Sequence, residues 1–438
     1  MVFSGLFEGK IHKIRSQDTN RFSFFDLREN EKSIAIYYFT TVSFFNSYVL
    51  SLVMVSVDTK KRMKIFKELE SVQQRDFSFS NGHILGSMCT QPHPIAREVY
   101  IQFLETNLGD PELCPGTKEI ESRFIAFIAT LLHAPKTSVG QIVSGGTEGN
   151  ITAMWVAKQL SGKKEVILPE SAHFSFQKIA SLMDMKLIEI PLTKEYVLDI
   201  TQLKKKIGKG TAAVVGLAGS TELGTIDPIP ELSEVCSDEQ IFLHVDAAFG
   251  GFVIPFLREL HYNVPQFDFK LKGVSTISID SHKMGYAAIP IGTLMIRKKH
   301  WLESISVESP YISCEKQAGI LGTRSGAPVA AAYAVAQYLG FEGYKSMVES
   351  CMDVTNYTEK RLKECGMSLV TKPMMNVLGV KLKKPGQIVK KLSEKGWRVN
   401  KVERLSCIRL VLMPQITKQI IDEFIPVLKK TCKEVGEL

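Results

Sequence analysis

"IFLHVDAAFGG", residues 241–251, is the stretch whose reading decides the fold. It opens with a run in which nearly every residue is apolar and ends in an aspartate followed by small residues. A strand with one wet face alternates polar and apolar side chains, but a strand covered on both faces has no need to. The run therefore reads as a strand inside a parallel sheet. Asp246 then lies at its carboxyl edge, where open α/β sheets bind ligands. Taken alone, a helix N-cap aspartate with packing glycines is the simpler reading of this motif.

The same texture recurs on either side. "EVILP" (165–169), "KLIEI" (186–190), "AAVVGLAG" (212–219), "VSTISID" (274–280) and "GTLMIR" (292–297) are short apolar runs, separated mostly by segments of helical length. Together they predict a mostly parallel α/β sheet. Ahead of them, Ile120, Phe124, Phe127, Ile128 and Leu131 have helical spacing over residues 118–133. "GQIVSGGTEGNITAMWVAKQL" (140–160) reads as a strand, a glycine turn and a helix. After a long helical stretch at 328–363 the pattern changes: strand "NVLGVKL", helix "GQIVKKLSEKG", strands "WRVNKV" and "CIRLVLM", then a helix over 416–431. This is a small α+β domain. The expected organisation is an N-terminal extension over 1–55, an arm and entry segment over 56–110, a large ligand-binding domain over 111–330, and a small domain with its connecting helix over 331–438.

Composition narrows the classes. With 438 residues, 45% hydrophobic and 23% charged, the chain can bury a sizeable core. Its net charge of +8 comes in short clusters such as "KKKIGKG" (204–210) and "RKKH" (297–300). These lack the interleaved aromatics of a single-strand groove and read as solvated faces that steer anionic ligands, with no nucleic-acid partner. Eight scattered cysteines form no CxxC pair and no zinc spacing, which implies a reducing cytoplasm and no metal. Residues 34–55 are charge-free and long enough to span a bilayer. They are also rich in β-branched and aromatic residues, carry Asn46, and have basic residues on both sides. Three readings stand: a dispensable or non-native extension with Met54 as the natural start, a membrane anchor, or a buried soluble element.

The residues fit for chemistry fall at the ends of predicted strands. "SGGTEGN" (144–150) joins glycines, a hydroxyl and the first amides of a helix, which is how a phosphate is cradled, although a plain strand-to-helix turn has the same look. His173 in "ESAHFSF" follows a strand and by itself is an ordinary packing residue. Lys283 in "DSHKMG" follows an apolar run, where a solvated lysine is out of place. One cofactor needs all four together: pyridoxal phosphate requires a phosphate cradle, a lysine for its aldehyde, an acid opposite its ring nitrogen and a flat partner for its ring. The aspartate would keep the ring protonated, because opposite charges stabilise each other's ionised forms.

On these residues the chain resembles the pyridoxal phosphate-dependent group II amino acid decarboxylases of fold type I, the aspartate aminotransferase-like fold. From about residue 75 onward it carries "ILGSMCTQPHP", "SGGTEGN", "HFSF", "GSTELGTIDPI", "HVDAAFGG", "DSHKMG", "LGTRSG" and "RLVLMP" in the order of the archaeal aspartate/tyrosine decarboxylases. The resemblance implies a large, mostly parallel seven-stranded sheet domain and a small C-terminal α+β domain. It implies that Lys283 bonds the cofactor's aldehyde, that Asp246 pairs with the ring nitrogen, and that His173 and Ala248 cover the two ring faces. Gly145, Gly146 and Thr147 would hold the phosphate with His282 nearby, and Thr221 would bond the cofactor near its phenolic oxygen. Gly322 and Thr323 would reach the phosphate of a neighbouring subunit in a homodimer with shared sites. Apolar surroundings are expected to keep Lys283 a neutral nucleophile.

Tyr311, in the polar loop "SPYISCEKQ", is the candidate proton donor to Cα. Arg409 resembles the family's arginine for a substrate carboxylate, while Gln415 stands where the family often has a histidine. The expected reaction is decarboxylation of L-aspartate to β-alanine for coenzyme A, with L-glutamate as a second substrate, and Arg324 and Arg409 as partners for a dicarboxylate. Alternatives are a tyrosine decarboxylase giving tyramine, a membrane-anchored lyase of the sphingosine phosphate type, and a binding protein that keeps the fold without turnover.

Overall fold

The computed structural model describes residues 24–29, 32–37, 59–310 and 316–437. Contacts divide the chain after Phe77. Before that point, Phe24–Glu29 and Lys32–Tyr37 pair antiparallel, and a helix runs over Thr59–Gln73 with its apolar residues, among them Met63, Phe66 and Leu69, exposed. Of the charge-free stretch at 34–55, residues 34–37 belong to this hairpin and the rest lie outside the described residues, as does Met54. No helix among the described residues is long and apolar enough to cross a membrane.

From Ser78 onward a seven-stranded sheet organises the molecule. In chain order its strands are β1 (Val139–Val143), β2 (Glu165–Pro169), β3 (Lys186–Ile190), β4 (Thr211–Leu217), β5 (Phe242–Asp246), β6 (Val274–Ile279) and β7 (Gly292–Ile296). In space they run β1-β7-β6-β5-β4-β2-β3, and only β7 is antiparallel to its neighbours. Every residue of β4, β6 and β7 is buried, which is why their sequences carry no charge and only small hydroxyls among the apolar residues.

Helix α1 (Gly146–Ser161) follows β1 and buries Thr152, Ala153, Met154, Val156 and Ala157. The long helix α2 (Ala327–Glu364) is broken at Gly340, whose φ of 57° is a left-handed value that favours glycine. Beyond it β8 (Val377–Lys381), β9 (Asn400–Val402) and β10 (Cys407–Val411) form an antiparallel sheet in the order β8-β10-β9. Helices α3 (Pro385–Glu394) and α4 (Lys418–Val435) cover it through Ile388, Leu392, Ile421, Phe424 and Leu428.

One departure from the sequence pattern matters later. The helix Pro115–Leu131 buries Phe124, Ile128 and Leu131 as spaced, but its inner face also holds Glu121, while Ile120 and Phe127 are only half-buried. Arg324 Nη1 meets the Glu121 carboxylate at 2.5 Å and Lys118 meets it at 2.6 Å. Burial would raise the carboxyl pKa, yet these cations hold it below the usual value. Arg324 is thereby committed to Glu121 and to the carbonyl of Leu108, which takes it out of the role of substrate partner.

Candidate active site

Five strands bring their carboxyl ends to one place. The segments leaving β1, β2, β4, β5 and β6 enclose a cavity of about 320 Å³ lined by Gly145, Gly146, Thr147, His173, Thr221, Asp246, Ala248, His282 and Lys283. Nine residues drawn from 139 positions of chain are thus gathered by sheet topology alone. Gly322 and Thr323 do not line this cavity and are exposed. Arg409 does not line it either, and Tyr311 lies outside the described residues.

Gly145 caps α1 with a φ of 154°, a region that side chains rarely adopt. A Cβ there would come within 3.0 Å of His282 Cε1, and a Cβ on Gly146 within 3.0 Å of the Ala248 methyl. Glycine therefore leaves the amides at the start of α1 open to the cavity.

Asp246 ends β5 almost fully buried. Its Oδ2 accepts from Asn150 Nδ2 at 2.8 Å and its Oδ1 from the Ala248 amide at 3.1 Å. Behind it, Asn150 Oδ1 accepts from Ser278 Oγ and lies 2.9 Å from His244 Nε2, while His244 Nδ1 is 2.9 Å from Thr276 Oγ1. Burial pushes the His244 pKa down to about 4, against the pull of Asp246. The neutral ring must therefore carry its proton on Nε2, since an amide oxygen can only accept. Asp246 is thus held by a buried chain of hydrogen bonds running through Asn150 to His244.

Lys283 overturns one expectation. Its Nζ lies 3.0 Å from Asp280 Oδ2. Burial lowers its pKa, but Asp280 and then Asp246 outweigh that and raise it, so the amine is stabilised as an ammonium rather than kept neutral by apolar neighbours. Asp280 is itself buried, and its Oδ1 has no hydrogen-bond partner among the described residues. His282 donates from Nδ1 to the Ile291 carbonyl at 2.7 Å, which turns its Nε2 toward Asp280 at 3.8 Å. The His173 pKa is lowered, chiefly by burial, and its Nδ1 accepts from the Ser175 amide at 3.2 Å.

The C-terminal sheet reaches this edge through two arginines. Arg409 of β10 donates to the Thr221 carbonyl and to the Gly86 carbonyl, each at 2.6 Å, and its Nε is buried with no partner among the described residues. Arg404 grips Glu222 with two nitrogens and Glu170 with a third. The side-chain oxygen of Gln415 accepts from Thr90 Oγ1, and its Nε2 is buried with no partner among the described residues.

The conserved domain of the pyridoxal-dependent decarboxylases matches residues 87–383. The chain belongs to that family. A protein of Methanosphaera stadtmanae named a probable L-tyrosine/L-aspartate decarboxylase is 46% identical, over 84% of this chain and 96% of its own. The L-aspartate/L-glutamate decarboxylase of Pyrococcus horikoshii is 45% identical, again over 84% and 96%. Among solved structures, a glutamate decarboxylase of Lactobacillus brevis superposes with a TM-score of 0.78 at 21% identity, covering 90% of this chain and 96% of that one. A sphingosine-1-phosphate lyase of Burkholderia pseudomallei gives 0.79 at 23% identity, covering 90% and 93%. At such identities these two likenesses show the fold, which is that of the type I pyridoxal phosphate enzymes, and not the substrate.

As a decarboxylase of this family the protein is a pyridoxal phosphate-dependent carboxy-lyase, and the cavity fits the cofactor. Glycines that a Cβ would block leave amides free at a helix start, a buried carboxylate is held in place by Asn150, and a lysine lies in the same cavity. Asn150, His244 and Asp280 were not singled out from sequence, although each lies in a quoted motif. The period of two along β5, which puts His244 on the face of Asp246, was the available signal.

Proposed function

We propose that this decarboxylase acts on L-aspartate to give β-alanine, and more slowly on L-glutamate. The carrying observation is a hollow of about 300 Å³ lined by Arg398, Arg409 and Asn400, joined to the cofactor cavity through the Arg409 bond to Thr221. A dicarboxylate brings two anionic groups, and a guanidinium grips carboxylate with paired hydrogen bonds. The name of the Pyrococcus horikoshii relative supports the choice. The competing reading is tyrosine, favoured by Ile84 and Met88, which give the same hollow an apolar wall, and by the name of the Methanosphaera stadtmanae relative.

In this reading Lys283 would hold the cofactor through its aldehyde, and Asp246 would pair with its ring nitrogen and favour the protonated ring. When bound, the cofactor supplies the electron sink that lets the α-carboxylate leave as carbon dioxide. His173 and Ala248 would cover the two ring faces. Gly145, Gly146 and Thr147 would hold the phosphate, with His282 nearby, and Thr221 would bond the cofactor near its phenolic oxygen. Arg409 orients a substrate carboxylate, and Tyr311 returns a proton to Cα.

Gly322 and Thr323 serve the phosphate site of a second subunit, so the active form is a homodimer. Their exposure and their absence from the lining of their own cavity support this. Free cysteines along the described chain support a cytoplasmic location, where β-alanine would enter coenzyme A synthesis. The test is kcat/KM for L-aspartate, L-glutamate and L-tyrosine with each amine identified. Aspartate is expected to rank first, and a higher value for tyrosine would reverse the assignment.

A further inference from the structure

A second cavity, of about 610 Å³, opens at the opposite edge of the seven-stranded sheet, where β4 and β5 begin, β6 is about to begin and β7 has just ended. Its lining includes Lys163, Lys272, Arg297 and Lys298 and contains no aspartate or glutamate. Among the described residues no carboxylate forms an ion pair with any of these four cations. Two of them come from the cluster "RKKH", which in the sequence looks like a solvated face.

Arg297 makes the absence informative. It is half-buried and fixed in place by donating to the carbonyls of Val274, Phe269 and Leu271. Carbonyl dipoles orient a guanidinium without cancelling its charge. Burial draws its pKa down, and no carboxylate opposes that pull. A partly desolvated cation is costly unless an anion accompanies it. Two aromatic rings share the wall: Lys298 Nζ sits 5.1 Å from the centre of the Trp301 ring, and Trp301 packs on Phe242 at 5.7 Å. The cavity has nearly twice the volume of the cofactor cavity, more than a bare oxyanion fills.

We propose that this cavity is a second binding site, for a small phosphorylated molecule that carries a flat ring, of the mononucleotide type. Its phosphate would neutralise the cations around Arg297, and its ring would lie against Trp301, where stacking and cation–π contact reinforce each other.

The test uses holoenzyme freed of excess cofactor, at physiological salt so that attraction to scattered surface charge is screened. Adenosine 5′-monophosphate, adenosine and inorganic phosphate are titrated in turn, with heat and tryptophan fluorescence as readouts. The monophosphate is expected to bind saturably, at least tenfold tighter than either of its parts, and to quench a signal that is missing in Trp301→Phe. The double variant K163E/K298E should bind it at least tenfold more weakly while keeping its decarboxylase activity, which shows that it is folded; Arg297 stays intact because it holds three carbonyls. The proposal is overturned if the monophosphate does not saturate at millimolar concentration, if phosphate alone binds as well, or if an active double variant binds as tightly as the wild type.

Discussion

The two edges of the central sheet treat charge in opposite ways. At the carboxyl edge Lys283 faces Asp280, Asp246 is held by Asn150, and Arg404 lies between Glu170 and Glu222. At the amino edge four cations share a cavity whose lining has no carboxylate, and none of them forms an ion pair among the described residues. At the first edge Lys283 and Arg404 meet carboxylates inside the fold, while Arg409 is held by carbonyls alone, so much of the geometry is set before substrate arrives. The second is balanced only when something from solution joins it. Charge that the fold has already matched points to positioning, and charge left unmatched in a cavity points to binding.

The contrast breaks most sharply at Lys283. Lys283→Ala should lower kcat by about a thousandfold or more, as removal of a covalent catalytic group does. Borohydride should no longer fix the cofactor to the corresponding peptide, while binding at the amino edge stays unchanged. Label appearing on another lysine in the wild type would sink this assignment.

Next comes the chain of hydrogen bonds behind Asp246. Asn150→Ala leaves Asp246 Oδ2 and the His244 N–H without partners, at a cost of about 1–3 kcal/mol in stability. Kcat should fall by roughly tenfold, the equivalent of about 1.4 kcal/mol in the barrier. Chemical unfolding and steady-state rates measure both. Asn150→Asp, which restores an acceptor but repels Asp246, should not rescue it.

A pH effect follows from His244. Its folded pKa of about 4 lies below its ordinary 6.5, so between these values the unfolded chain binds the proton and the folded chain does not. Its contribution is therefore full above pH 6.5 and is lost as pH falls toward 4, at about 1.4 kcal/mol per pH unit. His244→Gln removes the titration, so the stability gap between variant and wild type should narrow on acidification from pH 6.5 to 5. A constant gap would mean that the imidazole is not held neutral.

The smallest effect is expected at Arg404. It is about one-third exposed, and exposed ion pairs contribute little. Arg404→Ala should cost no more than about 1 kcal/mol by chemical unfolding. A larger loss would mean that its grip on Glu170 and Glu222 is part of what holds the C-terminal sheet at the site.

Much of this was readable in the sequence, and the reason is periodicity. Strands of a covered sheet write themselves as short runs rich in apolar residues and poor in charge, so β2 through β7 could be placed to within a residue or two. The chemistry followed because Gly145, His173, Asp246 and Lys283 all sit just past such runs. What stayed hidden needs distances between remote positions. Glu121 looks like a surface residue until Arg324, 203 positions away, arrives beside it. The state of Lys283 was misjudged for the same reason: Asp280 is one helical turn earlier in the same motif, yet only the folded loop brings its oxygen to 3.0 Å. Lys163 and Lys298 belong to different clusters in sequence, and only the start of the sheet puts them on one wall.

Arg409 also bears on the order in which the molecule is completed during synthesis. The residues named around the cofactor cavity all lie between 145 and 283, so a ribosome has made every one of them with a third of the chain still to come. Yet among the described residues the Thr221 carbonyl receives its donor only from residue 409, across 188 positions, and the Gly86 carbonyl receives its donors from residues 400 and 409. A nascent chain stopped short of β10 would hold every residue named around that cavity, with the Thr221 carbonyl still waiting for its donor. The last strand to emerge is what closes the site that the earlier ones began.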